Sequence, residues 1–309
     1  MNTRIFPPAI DNSMRKELVK CETATKYKYE MGLRLIDGGR VDLVAGRAFA
    51  AGLERMRKAF YITHASPEAA LQEGISALYT EYGSFVAPPK SNKSADRMAG
   101  ALAFYSLENP LASDPLEPVI FPNGEHGIEV GFNFDIPETH PTSHEPLTYC
   151  GRFDMLARHR DTGQCWVVDE KTTSQMGEKW ANQWPLDSQM TGYCWGANKL
   201  LRAHGIDAEV QGAIINGIAI RLRDYEHGQF VAYRQPWEIE RWFQQMRKDV
   251  FRWKMAHSIG VYDMALDHAC AQYNNPCEFA ALCQSRNPER IIEGSYQVLR
   301  WNPLTRIES

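Results

Sequence analysis

An aspartate and a lysine two residues apart, Asp169 and Lys171, could carry hydrolytic chemistry in this 309-residue chain. They lie in the segment CWVVDEKTT, whose β-branched and aromatic residues predict a strand. Because side chains alternate faces along a strand, Asp169 and Lys171 point the same way and Glu170 points opposite. A divalent cation beside this pair could polarise a phosphoryl oxygen and activate water. The chemistry indicated is phosphodiester hydrolysis.

A second aspartate, Asp154, precedes this strand in the segment GRFD. The sequence DTG at 161–163 predicts a turn, and a hairpin from about 149 to 173 can bring Asp154 beside Asp169. Two carboxylates that face each other repel unless they bind a cation, and hard oxygen ligands favour Mg²⁺ or Mn²⁺. For an isolated D-x-K pattern, a surface hairpin with solvated charges is the alternative.

Hydrophobic periodicity predicts the elements that must position these residues. The region from 88 to 127 is rich in turn signals, for which we expect connections with one short helix. Elsewhere the patterns predict helices over 45–60, 66–82, 186–203 and 236–258, and strands over 128–136, 149–159, 165–173 and 210–220. The order α-β-β-β-α-β predicts a mixed sheet flanked by helices. Since no repeat and no interdomain linker interrupts the chain, we expect one domain over 1–309.

Composition narrows the class of protein. Hydrophobic residues make up 44% and charged residues 23% of the chain, which is typical of a globular protein and excludes a disordered chain or a coiled coil. A net charge of −4 provides no global positive field, so any DNA site must be a local patch. No apolar run is long enough for a membrane span and MNTRIFPPAI lacks a signal pattern, so we expect a cytoplasmic protein without a membrane partner. The chain has no Gly-Lys dipeptide, which excludes a Walker-type helicase site.

The segments GRFDMLA, WVVDEKTT and QMTGY, in this order, resemble the PD-(D/E)XK nuclease superfamily, in particular its RecB-type branch. With flanking elements the resemblance covers about 41–235. It implies an α/β (α+β) protein with a restriction-endonuclease-like αβββαβ core.

The resemblance also implies roles for individual residues. Asp154 and Asp169 become metal ligands, with the main-chain carbonyl of Glu170 as a third, and Lys171 becomes the catalytic lysine. Two further residues, four apart and so on one face of the predicted helix 186–203, fall on positions that help to hold DNA. These are Gln189 and Tyr193.

One departure from the family pattern concerns the first helix. The family usually has an upstream metal ligand there, often a histidine, whereas Gly46 leads through three residues to Ala50 in this chain. Ala50 cannot bind a metal ion, so the ion count or the activity differs from the family pattern. Glu129 is our preferred replacement and Glu54, one helical turn from Ala50, is the other, while a solvated glutamate is the alternative for both.

Four of the seven cysteines form a second constellation. Cys21 lies in KCETATKYKY, and Cys270, Cys277 and Cys283 lie in ACAQYNNPCEFAALC. The arrangement resembles iron–sulfur nucleases of the same branch, which implies a [4Fe–4S] cluster that joins segments 15–35 and 262–290. Zinc or four reduced thiols are the alternatives. We interpret the remaining cysteines, in predicted strands or a helix, as small core residues: Cys150, Cys165 and Cys194.

These observations predict a metal-dependent DNA nuclease, an exonuclease of phage or bacterial recombination or repair that acts on single-stranded DNA or duplex ends. One alternative is a catalytically weak DNA-binding or recombination-accessory protein that retains the fold. Another is a subunit that requires a helicase or recombinase partner. In the predicted loop 174–185, Trp180 and Trp184 either stack on unpaired bases or pack in the core.

Overall fold

The computed structural model describes residues 3–36, 41–266, 269–272, 275–305 and 307–308. The helices are α1 (Asn12–Lys20), α2 (Glu22–Thr25), α3 (Val41–Tyr61), α4 (Pro67–Tyr82), α5 (Ala95–Glu108), α6 (Glu178–Ala181), α7 (Ser188–Ala203), α8 (Pro236–Ile259), α9 (Ala280–Gln284) and α10 (Glu289–Ser295), with a π-helical turn at Lys26–Glu30. The strands are β1 (Ala9–Ile10), β2 (Leu33–Leu35), β3 (Leu116–Pro118), β4 (Gly131–Thr139), β5 (Pro146–Arg152), β6 (Met155–His159), β7 (Cys165–Thr173), β8 (Val210–Ile220), β9 (Tyr225–Tyr233), β10 (Ala271–Gln272), β11 (Asn275–Pro276), β12 (Tyr296–Val298), β13 (Trp301–Asn302) and β14 (Ile307–Glu308).

These elements group into two compact units. The first contains three separate stretches of chain: Met1–Gly39, Asn133–Gly151 and Glu240–Ser309. The second contains Arg40–Phe132 and Arg152–Ile239, and therefore both aspartates of the predicted hydrolytic site. The fold is a mixed α+β arrangement of sheets flanked by helices, which confirms the predicted class.

The second unit is built on a five-stranded sheet in the order β3-β6-β7-β8-β9. Strands β7 and β8 are parallel, and the other neighbours are antiparallel. Across the sheet, Lys171 of β7 pairs with Gly217 of β8, which in turn pairs with Gly228 of β9. One row of the sheet thus runs from the predicted catalytic lysine to two glycines.

Helices α3, α4 and α5 form the main core of the second unit with the end of β8. Apolar side chains at helical spacing, such as Phe49, Leu53 and Met56 of α3, are fully buried in this cluster. Helices α3 and α4 approach closely at two glycines, where a Cβ on Gly52 would lie 3.0 Å from the Gly74 carbonyl oxygen. This close packing fixes the position of α3, the helix that carries Ala50 and Glu54.

The first unit joins the two ends of the described chain. Its three-stranded sheet has the order β1-β5-β4, and β2 pairs with β12. The carboxylate of Glu30, fully buried, accepts hydrogen bonds from the indole of Trp253 at 2.7 Å and the hydroxyl of Tyr262 at 2.6 Å. A separate apolar cluster packs Tyr27 against Phe279. Buried contacts therefore connect residues near 30 to residues beyond 250.

Two elements differ from the sequence predictions. The single strand predicted over 149–159 is two strands, because β5 ends at Arg152 and β6 begins at Met155. The region 88–127, for which we expected one short helix, contains the 14-residue helix α5, which begins after a Ser94 cap that accepts a hydrogen bond from the Arg97 amide. Its buried residues Met98, Ala101, Leu102 and Tyr105 have helical spacing that the adjacent turn signals obscured.

The remaining predicted helices and strands in the core are present with small shifts at their ends. Strand β9 was not predicted. In the ranges that the structure describes, no helix has both the length and the apolar character needed to cross a membrane.

Candidate active site

Asp169 and Lys171 form an ion pair on β7, with 2.6 Å between Oδ2 and Nζ. The carboxylate is 2% exposed, whereas the lysine side chain is 31% exposed. Burial by itself would lower the pKa of Lys171, but the charges of Asp169 and Asp154 outweigh burial and raise it. Lys171 is therefore a cation that remains accessible on one side of a buried carboxylate.

Asp154 lies in the two-residue break between β5 and β6. Its Oδ2 accepts a hydrogen bond from the Glu170 main-chain N–H at 2.7 Å, which fixes the carboxylate against β7. Burial and the charges of Asp169, Glu170 and Glu129 raise the pKa of Asp154 well above its usual range. Asp154 and Asp169 therefore lie near each other, as the hairpin register predicted, and the pKa of each is raised even though Lys171 pairs with Asp169.

The Glu170 side chain points away from Asp169 and Lys171, towards α3 and α5. It forms an ion pair with Arg57 of α3, and both side chains are 4% exposed. Tyr105 of α5 donates a hydrogen bond to the same carboxylate at 3.3 Å. Burial would raise the pKa of Glu170, but the Arg57 guanidinium outweighs burial, and the net shift is downward. The carboxylate of Glu170 is thus already paired with a protein cation.

Glu129 adopts a left-handed backbone conformation, with φ of 53°. Its main-chain N–H donates to the Asp154 carbonyl at 3.1 Å, and its carboxylate pairs with Arg152 at 2.9 Å. Non-glycine residues adopt this conformation at a cost, and such strain is concentrated at functional sites. Glu129 is therefore held next to Asp154 by contacts at both its main chain and its side chain.

A cavity of about 170 Å³ collects these groups. Asp154, Glu129 and Lys171 line it from the sheet side, and Ala50 and Glu54 line it from α3. Both candidates for the upstream ligand thus reach the cavity. Glu54 also forms an ion pair with Lys58 at 2.6 Å, whereas the charge of Glu129 acts on Asp154.

The chemistry of this cavity suits a hard cation, because its anionic groups are all carboxylates. Two buried aspartates in proximity also favour an added positive charge. In the part of the chain that the structure describes, no three His, Cys, Asp or Glu side chains stand close enough together to form a metal site as placed. The suitability of this cavity for a hard cation therefore rests on the carboxylate chemistry of its lining.

Comparison with known proteins identifies the family. The model of the PD-(D/E)XK nuclease superfamily matches residues 15–284. The chain belongs to this superfamily. The crystal structure of a "Putative exonuclease" from Eubacterium rectale shares the fold, with a TM-score of 0.51 and 12% identity over 90% of this chain and 94% of that chain. The crystal structure of SSO0001 matches 78% of this chain and 94% of its own, with 14% identity and a TM-score of 0.33. The search of curated proteins found no match.

Gln189 and Tyr193 lie one turn apart near the start of α7 in this PD-(D/E)XK chain. The Gln189 amide donates a hydrogen bond to the Tyr193 hydroxyl at 2.8 Å. The Tyr193 ring meets the ring of Phe153 edge to face, with 5.6 Å between centroids, and Phe153 directly precedes Asp154. The structure thus places this predicted pair together on one helix face, close to the metal-ligand candidate.

Sequence reasoning missed two residues of the PD-(D/E)XK site. Asp187 caps α7 by accepting a hydrogen bond from the Met190 amide at 3.0 Å, and its charge contributes to the raised pKa values of Asp169 and Lys171. An aspartate just before a helical pattern is a cap signal that could have identified it. Arg57, the partner of Glu170, lies on the apolar face of α3, four residues after Leu53. A charged residue at such a position indicates a buried partner.

The four cysteines of the second constellation line one cavity of about 280 Å³ in the first unit. The Cys277 amide donates to the Cys270 carbonyl at 2.8 Å, which brings these two residues together within the segment 262–290. Burial raises the pKa of Cys283, and the charges of Cys21, Cys277 and Cys270 raise it further, so each of these three thiols lies within electrostatic range of Cys283. Within the predicted segment 262–290, residues 267, 268, 273 and 274 lie outside the described residues.

The other three cysteines are buried and separate from this cavity. Burial raises the pKa of Cys150 and of Cys194 to about 12, so both remain thiols at neutral pH. Cys165 lies in β7 and is 1% exposed. The interpretation of these three residues as core side chains is confirmed.

Proposed function

We propose that this PD-(D/E)XK protein is a Mg²⁺- or Mn²⁺-dependent deoxyribonuclease that acts as an exonuclease in phage or bacterial recombination or repair. The observation that carries the proposal is the proximity of Asp154 to the Asp169–Lys171 ion pair, with Asp154 and Lys171 both lining one cavity. A site that combines buried carboxylates with an accessible cation suits an anionic phosphodiester.

Asp154 and Asp169 would hold the ion, with the Glu170 carbonyl and the Glu129 carboxylate as further ligands. A bound Mg²⁺ or Mn²⁺ would polarise a phosphoryl oxygen and lower the pKa of bound water. The family's usual upstream ligand is replaced by Ala50, which lines the cavity, so Glu129 completes the set from the opposite side. The Arg152 ion pair orients the Glu129 carboxylate.

Side chains of the protein supply the other functions that the reaction needs. Lys171, whose raised pKa keeps it protonated, orients the attacking water and balances the charge that develops on the phosphate. Gln189 and Tyr193 hold the DNA strand beside it, through the amide and hydroxyl that they already align with each other. The ion pair of Glu170 with Arg57, which lines the same cavity, keeps β7 in place against α3.

The four cysteines would hold a [4Fe–4S] cluster, because four thiols line one cavity and thiolates are the ligands that such clusters require. The residues are Cys21, Cys270, Cys277 and Cys283. When bound, the cluster would tie residues near 20 to residues near 280 and stabilise the first unit. Brown protein with visible absorbance that disappears on oxidation would support the cluster. Colourless protein with stoichiometric zinc would contradict it.

Cleavage of labelled DNA tests the nuclease function. Wild-type protein, purified anaerobically, should degrade single-stranded or duplex DNA from its ends when Mg²⁺ or Mn²⁺ is present. The Lys171→Ala protein should bind the same DNA without cutting it. No cleavage by the wild-type protein with either metal would refute the enzyme.

The presence of Ala50 in the cavity favours a second candidate function. In this case the protein is a catalytically weak DNA-binding subunit that works with a helicase or recombinase. Such a protein would bind DNA ends alone and cut them only after the partner is added. Cleavage by the isolated protein at the same rate with and without the partner would exclude this candidate.

A further inference from the structure

The segment 174–187 connects β7 to α7, and its C-terminal end packs into the core of the second unit. The buried guanidinium of Arg234 donates to the Trp184 carbonyl at 2.9 Å and to the Thr191 hydroxyl at 2.8 Å. Trp184 is itself buried, with 5% of its surface exposed. This end of the segment is therefore part of the core.

At the other end, two glycines make a notch in the sheet that receives Met176 and Trp180. A Cβ on Gly217 would lie 2.6 Å from Cη2 of the Trp180 ring and 2.7 Å from Sδ of Met176. A Cβ on Gly228, the residue paired with Gly217, would lie 3.0 Å from Cε of Met176. At Gly217 only glycine leaves room for the indole, whereas at Gly228 a Cβ would crowd the flexible end of Met176.

The notch lies beside the catalytic lysine. Gly217 pairs with Lys171 in the β7–β8 register, and paired residues on neighbouring strands project from the same face of a sheet. Neighbouring strands are about 4.8 Å apart. The Trp180 indole therefore lies on the face that carries Lys171 and Asp169, about one strand away from the lysine main chain.

Trp180 and Trp184 thus have different roles. Their rings meet edge to face, with 5.3 Å between centroids and 75° between planes, so the buried Trp184 supports the other ring. Trp180 is only half-buried, which leaves part of its indole open to solvent next to the site. An aromatic ring held rigidly beside a phosphate-cleaving site can stack on a nucleobase.

We propose that Trp180 is the stacking platform for a nucleobase next to the scissile phosphate, and that the site consequently takes an unpaired DNA strand. The proposal rests on the nuclease function proposed above and specifies its substrate class. A base can lie on the indole only after it has left its own stack, so single strands and frayed ends bind directly whereas closed duplex does not. Because every base has an aromatic face, the contact does not depend on sequence.

Binding of single-stranded DNA that contains 2-aminopurine tests the contact without cleavage. In a Lys171→Ala background, the emission of 2-aminopurine near the bound end should fall on binding, and Trp180→Ala should abolish this fall. Trp180→Phe should retain much of it. Tyr233→Ala is the matched control, because Tyr233 is an exposed aromatic residue on β9, about 17 Å along the strand from Gly228.

Kinetics provide the second readout. Trp180→Ala should raise KM for single-stranded DNA about 5- to 150-fold, the effect of one lost base–aromatic stack, with a smaller change in kcat. Gly217→Ala, which keeps the indole but displaces it, should raise KM similarly. If wild-type protein cleaves DNA but Trp180→Ala and Tyr233→Ala have the same KM and the same emission change, the stacking proposal is refuted and the nuclease function stands. If wild-type protein quenches the probe through Trp180 but never cleaves, the nuclease function fails and the contact stands.

Discussion

Arg57→Met would test whether a buried ion pair holds strand β7 in place. The Arg57 and Glu170 side chains are each 4% exposed, and without the guanidinium the carboxylate keeps the neutral partners Tyr105 and Asn216. Breaking a buried pair from one side costs about 3–5 kcal/mol. At about 2–4 °C per kcal/mol, the Tm should fall by roughly 6–20 °C. Thermal and urea unfolding followed by circular dichroism measure this loss.

Arg55→Met is the matched control on the same helix. Arg55 pairs with Glu73 at 2.6 Å, but these side chains are 53% and 38% exposed, so the loss should be at most about 1 kcal/mol. Replacing both members of the buried pair, as Arg57→Met with Glu170→Gln, should cost less than Arg57→Met alone because no unpaired charge remains. Equal Tm values for the Arg57→Met and Arg55→Met proteins would refute the reasoning.

Three further outcomes are expected. Asp154→Asn should abolish metal-dependent DNA cleavage yet raise the Tm of the metal-free protein. The reason is that burial and the neighbouring carboxylates disfavour the negative charge of Asp154 in the folded state. A lower Tm would contradict this expectation. Gly52→Ala should reduce the free energy of unfolding by about 1–3 kcal/mol, since the new Cβ would lie 2.9 Å from Leu102 Cδ2, and urea unfolding measures it. Cys277→Ser should remove bound iron and visible absorbance, whereas Cys194→Ala, in the separate buried group, should retain both; iron analysis distinguishes them.

The local part of the site could be predicted because it depends on short-range rules. Alternation along β7 placed Asp169 and Lys171 together and Glu170 on the other face. The four-residue spacing of Gln189 and Tyr193 likewise placed both on one face of α7. These relations follow from the geometry of a single strand or helix and need no knowledge of the rest of the fold.

Other features depend on residues distant in sequence, which explains why the sequence did not predict them. The break at Asp154 separates β5 and β6, which belong to different sheets, and the short sequence Phe153-Asp154 does not by itself signal a change of partner strand. The partner of Glu170 lies 113 residues earlier on α3. The glycine notch under Trp180 needs the β7–β8–β9 register, and periodicity alone does not determine that register.

The division of the first unit into three stretches of chain sets an order of events during synthesis. The second unit is complete once residue 239 has emerged, whereas the first unit still lacks Glu240–Ser309. At about 5–20 residues per second, Cys283 leaves the ribosome roughly 13–50 s after Cys21. During this interval the second unit can already fold, while Cys21 and Glu30 still lack their partners from the third stretch of the first unit. The segment that carries Cys21 therefore reaches its packed state only after about 200 further residues have been added.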